Sequence, residues 1–207
     1  MKYKELKKKK KDNVIEMNFD KPLSEETYQD FLKSIRKLRF LCRKKVNLHI
    51  TLNHKDIDID KEKDQRIISL YHIEKAINIK EKKKRYEYIY DVVCNYLDSC
   101  FQGKNLCEFK NNKCLGDRSK KFEKSCGCCN GKNRGTCQYL VDGHCTIQCM
   151  GCKLFTCPSL RKKGIKFRIK DIPLLNYFFN LRQKEVLAYT IFTPKEKVIE
   201  RLIKFRW

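Results

Sequence analysis

Apolar positions recur along the first half of the chain with two distinct periods. Tyr28, Phe31, Leu32, Ile35, Leu38 and Cys42 share one stripe at helical spacing, which predicts an amphipathic helix with Cys42 as a small core residue. Ser24, two residues after Pro22, offers an N-cap oxygen, and Glu25 and Glu26 put carboxylates in the first turn, where the helix dipole favours them. Val46, Leu48, Ile50 and Leu52 alternate with Asn47, His49, Thr51 and Asn53, the period of a half-buried strand with His49 toward solvent. Val14 to Phe19 is a short extended stretch, and Asn53-His54-Lys55-Asp56 is turn-like. Ile67, Ile68, Tyr71 and Ala76 predict a second helix. Tyr86, Ile89, Tyr90, Val93, Tyr96, Leu97 and Cys100 predict a stronger one, with Cys94 on the flank of its stripe.

The periodicity returns only after Cys157-Pro158. Asp171-Ile172-Pro173 reads as a helix start for Leu174 to Asn180, and Gln183 to Tyr189 as a second helix or its continuation. Thr193-Pro194-Lys195-Glu196 has the form of a capping sequence, with Thr193 as N-cap and Pro194 in the first helical position. Val198, Ile199, Leu202 and Ile203 follow as the apolar face of a terminal helix that completes a core.

What separates these two patterned regions is cysteine. Of thirteen cysteines in 207 residues, all but Cys42 fall between Cys94 and Cys157. The expected organisation is a basic, disordered arm over 1–12, an N-terminal α+β segment over 13–93, a cysteine-rich module over 94–158 and a helical segment over 159–207. The fold class is α+β, mainly helical, with helices at both ends around a metal-stabilised centre. The first residues are charged with no apolar stretch behind them, and no run of eighteen apolar residues occurs. The chain therefore reads as soluble and cytoplasmic, with no membrane partner. In that reducing compartment clustered thiols point to metal rather than to disulfides, and an odd number cannot all pair within one chain.

Cys126-x2-Cys129 and Cys149-x2-Cys152, separated by nineteen residues, have the spacing of a zinc ribbon. Two intervening residues let both sulfurs of a pair approach one ion at about 2.3 Å, with backbone amides free to donate to them. Gly131-Lys132-Asn133-Arg134-Gly135 reads as a loop between ligands. Cys94, Cys100, Cys107 and Cys114 are candidates for a second site. Cys128, Cys137, Cys145 and Cys157, with His144 as a substitute, are candidates for a third. The expectation is two or three Zn2+ ions, with the pairing open. Cys149-Met150-Gly151-Cys152 also has redox-dithiol spacing, but the pattern shows neither the strand before it nor the helix after it that such a thiol uses, so structural metal is the expected fate.

Iron is the alternative. Cys145-x3-Cys149-x2-Cys152-x4-Cys157-Pro158 approximates the four-cysteine run ending in Cys-Pro that holds a [4Fe-4S] cluster. Its first three cysteines resemble the cluster motif of the radical S-adenosylmethionine enzymes, although the chain after Cys152 is shorter than the barrel those enzymes carry. The Cys126-Gly127-Cys128-Cys129 run, with His144-Cys145 and Cys152-Lys153-Leu154-Phe155-Thr156-Cys157, resembles the YkgJ-like cysteine-cluster proteins over about a third of the chain. That resemblance implies zinc or iron chelation and does not choose between them.

Charge adds one expectation about partners. Lys and Arg outnumber Asp and Glu by 48 to 25, a net charge of +23. With only Ala76 and Ala188 as alanines, part of the lysine reflects compositional bias, but such bias also supplies Asp and Glu, so the positive excess points to a polyanion. DNA or RNA, bound with release of counterions, fits it. The candidate contacts are Lys7, Lys8, Lys9, Lys10 and Lys11 in the arm, then Lys82, Lys83, Lys84 and Arg85, then Arg161, Lys162 and Lys163. No phosphate-binding loop, zinc-protease helix or nucleophile elbow occurs. The reading is a cytoplasmic, zinc-binding, non-catalytic protein associated with nucleic acid or regulation. An iron–sulfur protein, either redox sensor or electron carrier, is the alternative.

Overall fold

A computed structural model of the chain describes residues 8–9, 13–42, 46–103, 106, 109–110, 113–114, 139–141, 144–146, 148–156 and 158–205. It is α+β and mainly helical, and it divides into two units, Met1–Tyr88 and Ile89–Trp207.

The first unit is built on a crossover. Strand β2 (Val14–Phe19) and strand β3 (Asn47–Leu52) run parallel in register from Val14↔Asn47 to Phe19↔Leu52. Parallel neighbours need a long return path, and helix α1 (Glu25–Cys42) provides it. Ser24 caps α1 as expected, its Oγ accepting the Thr27 N–H at 3.1 Å. The α1 stripe Tyr28, Phe31, Leu32, Ile35 and Leu38 is buried, together with Ile15, Phe19, Leu48, Ile50 and Leu52 of the strands. Phe19 and Phe31 meet edge to face with ring centroids 5.5 Å apart. Each such apolar side chain, once buried, contributes about 1.5–3 kcal/mol.

Strand β1 (Lys8–Lys9) pairs antiparallel with β2, Lys8 opposite Ile15 and Lys9 opposite Val14. Two residues of the basic run that reads as a disordered arm are therefore strand. On the far side, β4 (Lys55–Asp56) folds back on β3 through Asn53 and His54, whose φ angles of 48° and 62° make the two-residue turn that matches strand twist. Asn18 supports the turn, its Oδ1 accepting from the His54 N–H at 2.7 Å and the Thr51 hydroxyl at 3.0 Å.

Helix α2 (Gln65–Asn78) covers the rest of β3 and closes its open edge with side chains. Asn78 accepts from the Leu48 N–H at 2.8 Å and donates to the Leu48 carbonyl at 2.7 Å, while Glu74 accepts from the Ile50 N–H at 3.2 Å. Burial pushes the Glu74 carboxyl above its usual range. His49, expected to face solvent, lies between two carboxylates, Nε2 at 3.3 Å from Asp56 and Nδ1 at 3.7 Å from Glu74. The buried stripe of α2 is Ile67, Leu70, Ile73, Ala76 and Ile77, which includes the expected Ile67 and Ala76, while Ile68 and Tyr71 lie on its flank.

The division between units falls inside α3 (Lys82–Gly103). Its buried residues Tyr86, Ile89, Tyr90, Val93 and Leu97 follow the expected stripe, but Cys94 lies within the buried face and Tyr96 is exposed.

In the second unit, two antiparallel ribbons precede the helices: β5 (Phe109–Lys110) with β6 (Lys113–Cys114), and β7 (Leu140–Val141) with β8 (His144–Cys145). Then come α4 (Met150–Leu154), α5 (Pro158–Lys162), a 3-10 turn at Ile169–Asp171, α6 (Pro173–Phe178), α7 (Leu181–Tyr189) and α8 (Lys195–Lys204). Gly164, at φ 74°, ends α5: Ile165 N–H bonds the Leu160 carbonyl and Gly164 N–H that of Arg161, the paired pattern of a glycine-terminated helix.

The expected segment over Gln183 to Tyr189 belongs to a separate helix, α7, which begins two residues earlier at Leu181 rather than continuing α6. Asn180 and Gln183 form a reciprocal capping box, and the buried Gln183 amide also donates to the Leu202 carbonyl of α8 at 2.8 Å. By contrast the expected cap at Thr193 does not form. Pro194 occupies the N-cap of α8, and the Thr193 hydroxyl turns back to the Ile191 carbonyl at 3.1 Å. Among the described residues no helix is long and apolar enough to cross a membrane.

Candidate metal centre

Cys149 and Cys152 occupy the entrance and first turn of α4, and the chain on either side of them is strained to place them. Gln148, immediately before Cys149, has φ 46°, and Phe192, which faces the pair from the α7–α8 linker, has φ 53°. Each such residue costs on the order of 1 kcal/mol or more and persists only where its surroundings hold it. The strain has a visible result, since Phe192 directs its N–H to Cys152 Sγ at 3.4 Å.

Cys149 is fully buried. As a thiol it donates to the Thr190 carbonyl at 3.3 Å. The neighbouring Cys152 thiol, then the N–H groups of Cys152, Thr193 and Phe192, favour the thiolate and bring Cys149 down to about 6 against the opposing effect of burial. Gly151 makes this approach of α4 to α7 possible. A Cβ there would lie 2.5 Å from the Thr190 carbonyl oxygen, closer than any side chain tolerates.

Around the pair are groups that cysteine spacing does not reveal. The Tyr90 hydroxyl accepts the Met150 N–H at 2.8 Å, and burial raises Tyr90 far above its ordinary value. Cys94 donates to the Gln148 carbonyl at 3.2 Å, and burial pushes its thiol up to about 12. Lys153, only 5% exposed, forms an ion pair with Asp98 of α3. Asp91, two turns earlier on the same face of α3, holds Lys195 of α8 at 2.6 Å. Their one sequence signature is spacing: Asp91, Cys94 and Asp98 recur at helical intervals, and a lysine directly follows Cys152.

The expected ligand sets are only partly visible. Cys94, Cys100, Cys149 and Cys152 are reduced cysteines. Cys114 and Cys145 lie on β6 and β8. Cys107, Cys126, Cys128, Cys129, Cys137 and Cys157 lie outside the described residues. Among the described residues, no three His, Cys, Asp or Glu side chains converge as a metal site. Among the described residues the structure places Cys149 and Cys152 together at the entrance of α4, and the second expected set includes Cys107, which lies outside them.

The basic candidates divide similarly. Lys8 and Lys9 are on β1, while Lys7, Lys10 and Lys11 lie outside the described residues. At the start of α3, Lys82 sits over the Tyr86 ring at 5.5 Å, Lys83 is 3.9 Å from Glu87 and Lys84 is 2.8 Å from Glu81. Arg85 donates to the Ile79 carbonyl at 2.8 Å and the Lys80 carbonyl at 3.2 Å, just beyond the end of α2. This cluster therefore has local structural work. Arg161, Lys162 and Lys163 are exposed at the end of α5.

Compared with known proteins, the chain matches no family model, no curated protein and no solved structure.

Proposed function

We propose that Cys149 and Cys152 are one half of a four-thiolate zinc site completed by Cys126 and Cys129. In this reading the protein is a cytoplasmic, non-catalytic zinc protein whose positive surface associates with nucleic acid. The observation that carries the metal half is the adjacent pair of sulfurs at the α4 entrance, with main-chain N–H groups of the α7–α8 linker turned toward them. That is how a protein stabilises thiolates destined for a tetrahedral ion. Zinc held there would supply folding free energy to the second unit. The nucleic-acid half rests on the net charge of +23 and on the exposure of Arg161, Lys162 and Lys163 at the end of α5.

Elemental analysis and an absorption spectrum, on protein purified without oxygen, test the metal. Zinc without a visible band is expected, whereas iron with acid-labile sulfide replaces this reading with the iron–sulfur one. Gel mobility on RNA and DNA over a salt series tests the partner. Affinity should fall steeply with salt, and replacing Arg161, Lys162 and Lys163 by Ala should flatten that slope by up to about three phosphate contacts. Mobility unchanged by either nucleic acid at low salt would refute the association.

A further inference from the structure

The spacing of Cys149-Met150-Gly151-Cys152 shows neither a preceding strand nor a following helix, and the fold places only the two-residue strand β8 before it and the five-residue helix α4 at it. Strand β8 ends at Cys145, and Cys149 immediately precedes α4. Residues three apart on a helical turn have Cβ atoms about 5–6 Å apart, a separation that small adjustments bring within disulfide reach. Here one linker faces both sulfurs, the Thr190 carbonyl accepting from the Cys149 thiol at 3.3 Å and the Phe192 N–H reaching Cys152 Sγ at 3.4 Å. The two sulfurs differ in access: Cys149 is fully buried beneath the Thr190 carbonyl, and Cys152 is partly exposed. Cys94, the next thiol in the unit, is fully buried and directed to the Gln148 carbonyl.

We propose that Cys149 and Cys152 are also a reversible redox pair, in which a hydroperoxide oxidises the accessible Cys152 and the buried Cys149 closes a disulfide onto it. The chemistry balances in two steps. The Cys152 proton passes to the Cys149 sulfur, the Cys152 thiolate so formed attacks the outer peroxide oxygen, the O–O bond breaks, and the leaving oxygen takes a proton from solvent to depart as an alcohol or water, with a sulfenic acid on Cys152. Cys149 then attacks that sulfur, the S–O bond breaks, and water leaves as the S–S bond forms. Two thiols have lost two electrons and two protons to one peroxide. A cellular dithiol reverses the change by exchange, becoming a disulfide itself. The proposal uses the same two residues as the zinc reading and concerns their metal-free state.

Oxidation also has a local consequence. The disulfide removes the S–H that Cys149 gives to the Thr190 carbonyl, so the α7–α8 linker loses an anchor.

The test treats the full-length protein with stoichiometric hydrogen peroxide, then blocks thiols and maps the products by mass spectrometry, reading zinc content on the same samples. The expected product is a Cys149–Cys152 disulfide, lighter by two hydrogens and restored by dithiothreitol. In Cys149→Ser, dimedone should label Cys152; in Cys152→Ser, Cys149 should stay unlabelled. A bond mapped to any other pair, or dimedone on Cys149, overturns the proposal. The wild-type map needs no variant, so it decides even if Cys149→Ser does not fold. Disulfide formation in a chain that never held zinc upholds the redox pair and removes the zinc reading. Both thiols left unmodified by peroxide in protein stripped of metal by a chelator overturns the redox pair, and zinc bound by the untreated protein then leaves the zinc reading intact.

Discussion

The two units bury different chemistry. Among the described residues of Met1–Tyr88 the buried ones are apolar, and polar side chains such as Asn78, Glu74 and Asn18 work at the margins of the sheet. In Ile89–Trp207, by contrast, lie all four buried polar residues found among the described ones, Lys153, Thr156, Gln183 and Thr190, and with them the buried thiols Cys94 and Cys149. A hydrocarbon core needs only shape and volume, whereas a buried amine, amide or thiol must be matched by a specific partner. The second unit meets that demand one contact at a time: Lys153 with Asp98, Gln183 with the α8 carbonyls, Cys149 with the α7–α8 linker. Groups so placed mark a site, because an apolar substitute would serve stability as well.

The sharpest way to break this contrast is to remove one partner of the buried ion pair. Asp98→Ala leaves Lys153 enclosed without its counter-charge and should cost about 3 kcal/mol in urea unfolding. Lys153→Met in the same background should recover most of that loss. If Asp98→Ala unfolds like the wild type, the pair is not a constraint on the second unit.

Asn78→Ala probes the first unit in the same way. It strips both hydrogen bonds from Leu48 at the open edge of β3, and a smaller cost of about 2 kcal/mol is expected, since water can reach an edge. A cost equal to that of Asp98→Ala would erase the proposed difference between the units.

The smallest effect is in pH. Burial, with Lys75 second, holds His72 below its ordinary value of 6.5, while its Nδ1 pairs with the Tyr88 hydroxyl at 2.8 Å. Below about pH 6.5 the unfolded chain takes up a proton that the folded His72 resists, so stability is full above that pH and declines as pH falls toward the folded value. Glu74, raised by burial, contributes in the opposite sense. Comparing the wild type with His72→Gln cancels the Glu74 contribution, and the pH slope should shrink in the variant. An unchanged slope would remove His72 from the account.

Where one periodic stripe decides an element, the pattern of the chain is sufficient. Helix α1, its Ser24 cap and the alternation of β3 emerge from spacing because each rests on local chemistry. Features that depend on partners distant in sequence do not. Nothing in Val14–Phe19 indicates that it runs parallel to β3, because register belongs to two strands at once. The Thr193 cap failed in competition: its hydroxyl found a carbonyl two residues back, and the better box formed at Asn180. Cys94 was placed on a flank because half-apolar cysteine weighs little in a periodicity, yet the Gln148 carbonyl draws it inward. The Cys149–Cys152 pair was legible from its spacing; Tyr90, Lys153 and the left-handed Phe192 around it were not, since each acts through a contact 40 or more residues away.

The zinc content of the wild type against Cys149→Ser and Cys152→Ser, purified identically, tests the central claim most directly. If the pair is half of a four-thiolate site, each substitution should lower the metal by about one ion per chain and loosen the second unit, with the first still folded by hydrogen exchange. Equal zinc in all three proteins, or none in the wild type, would contradict it.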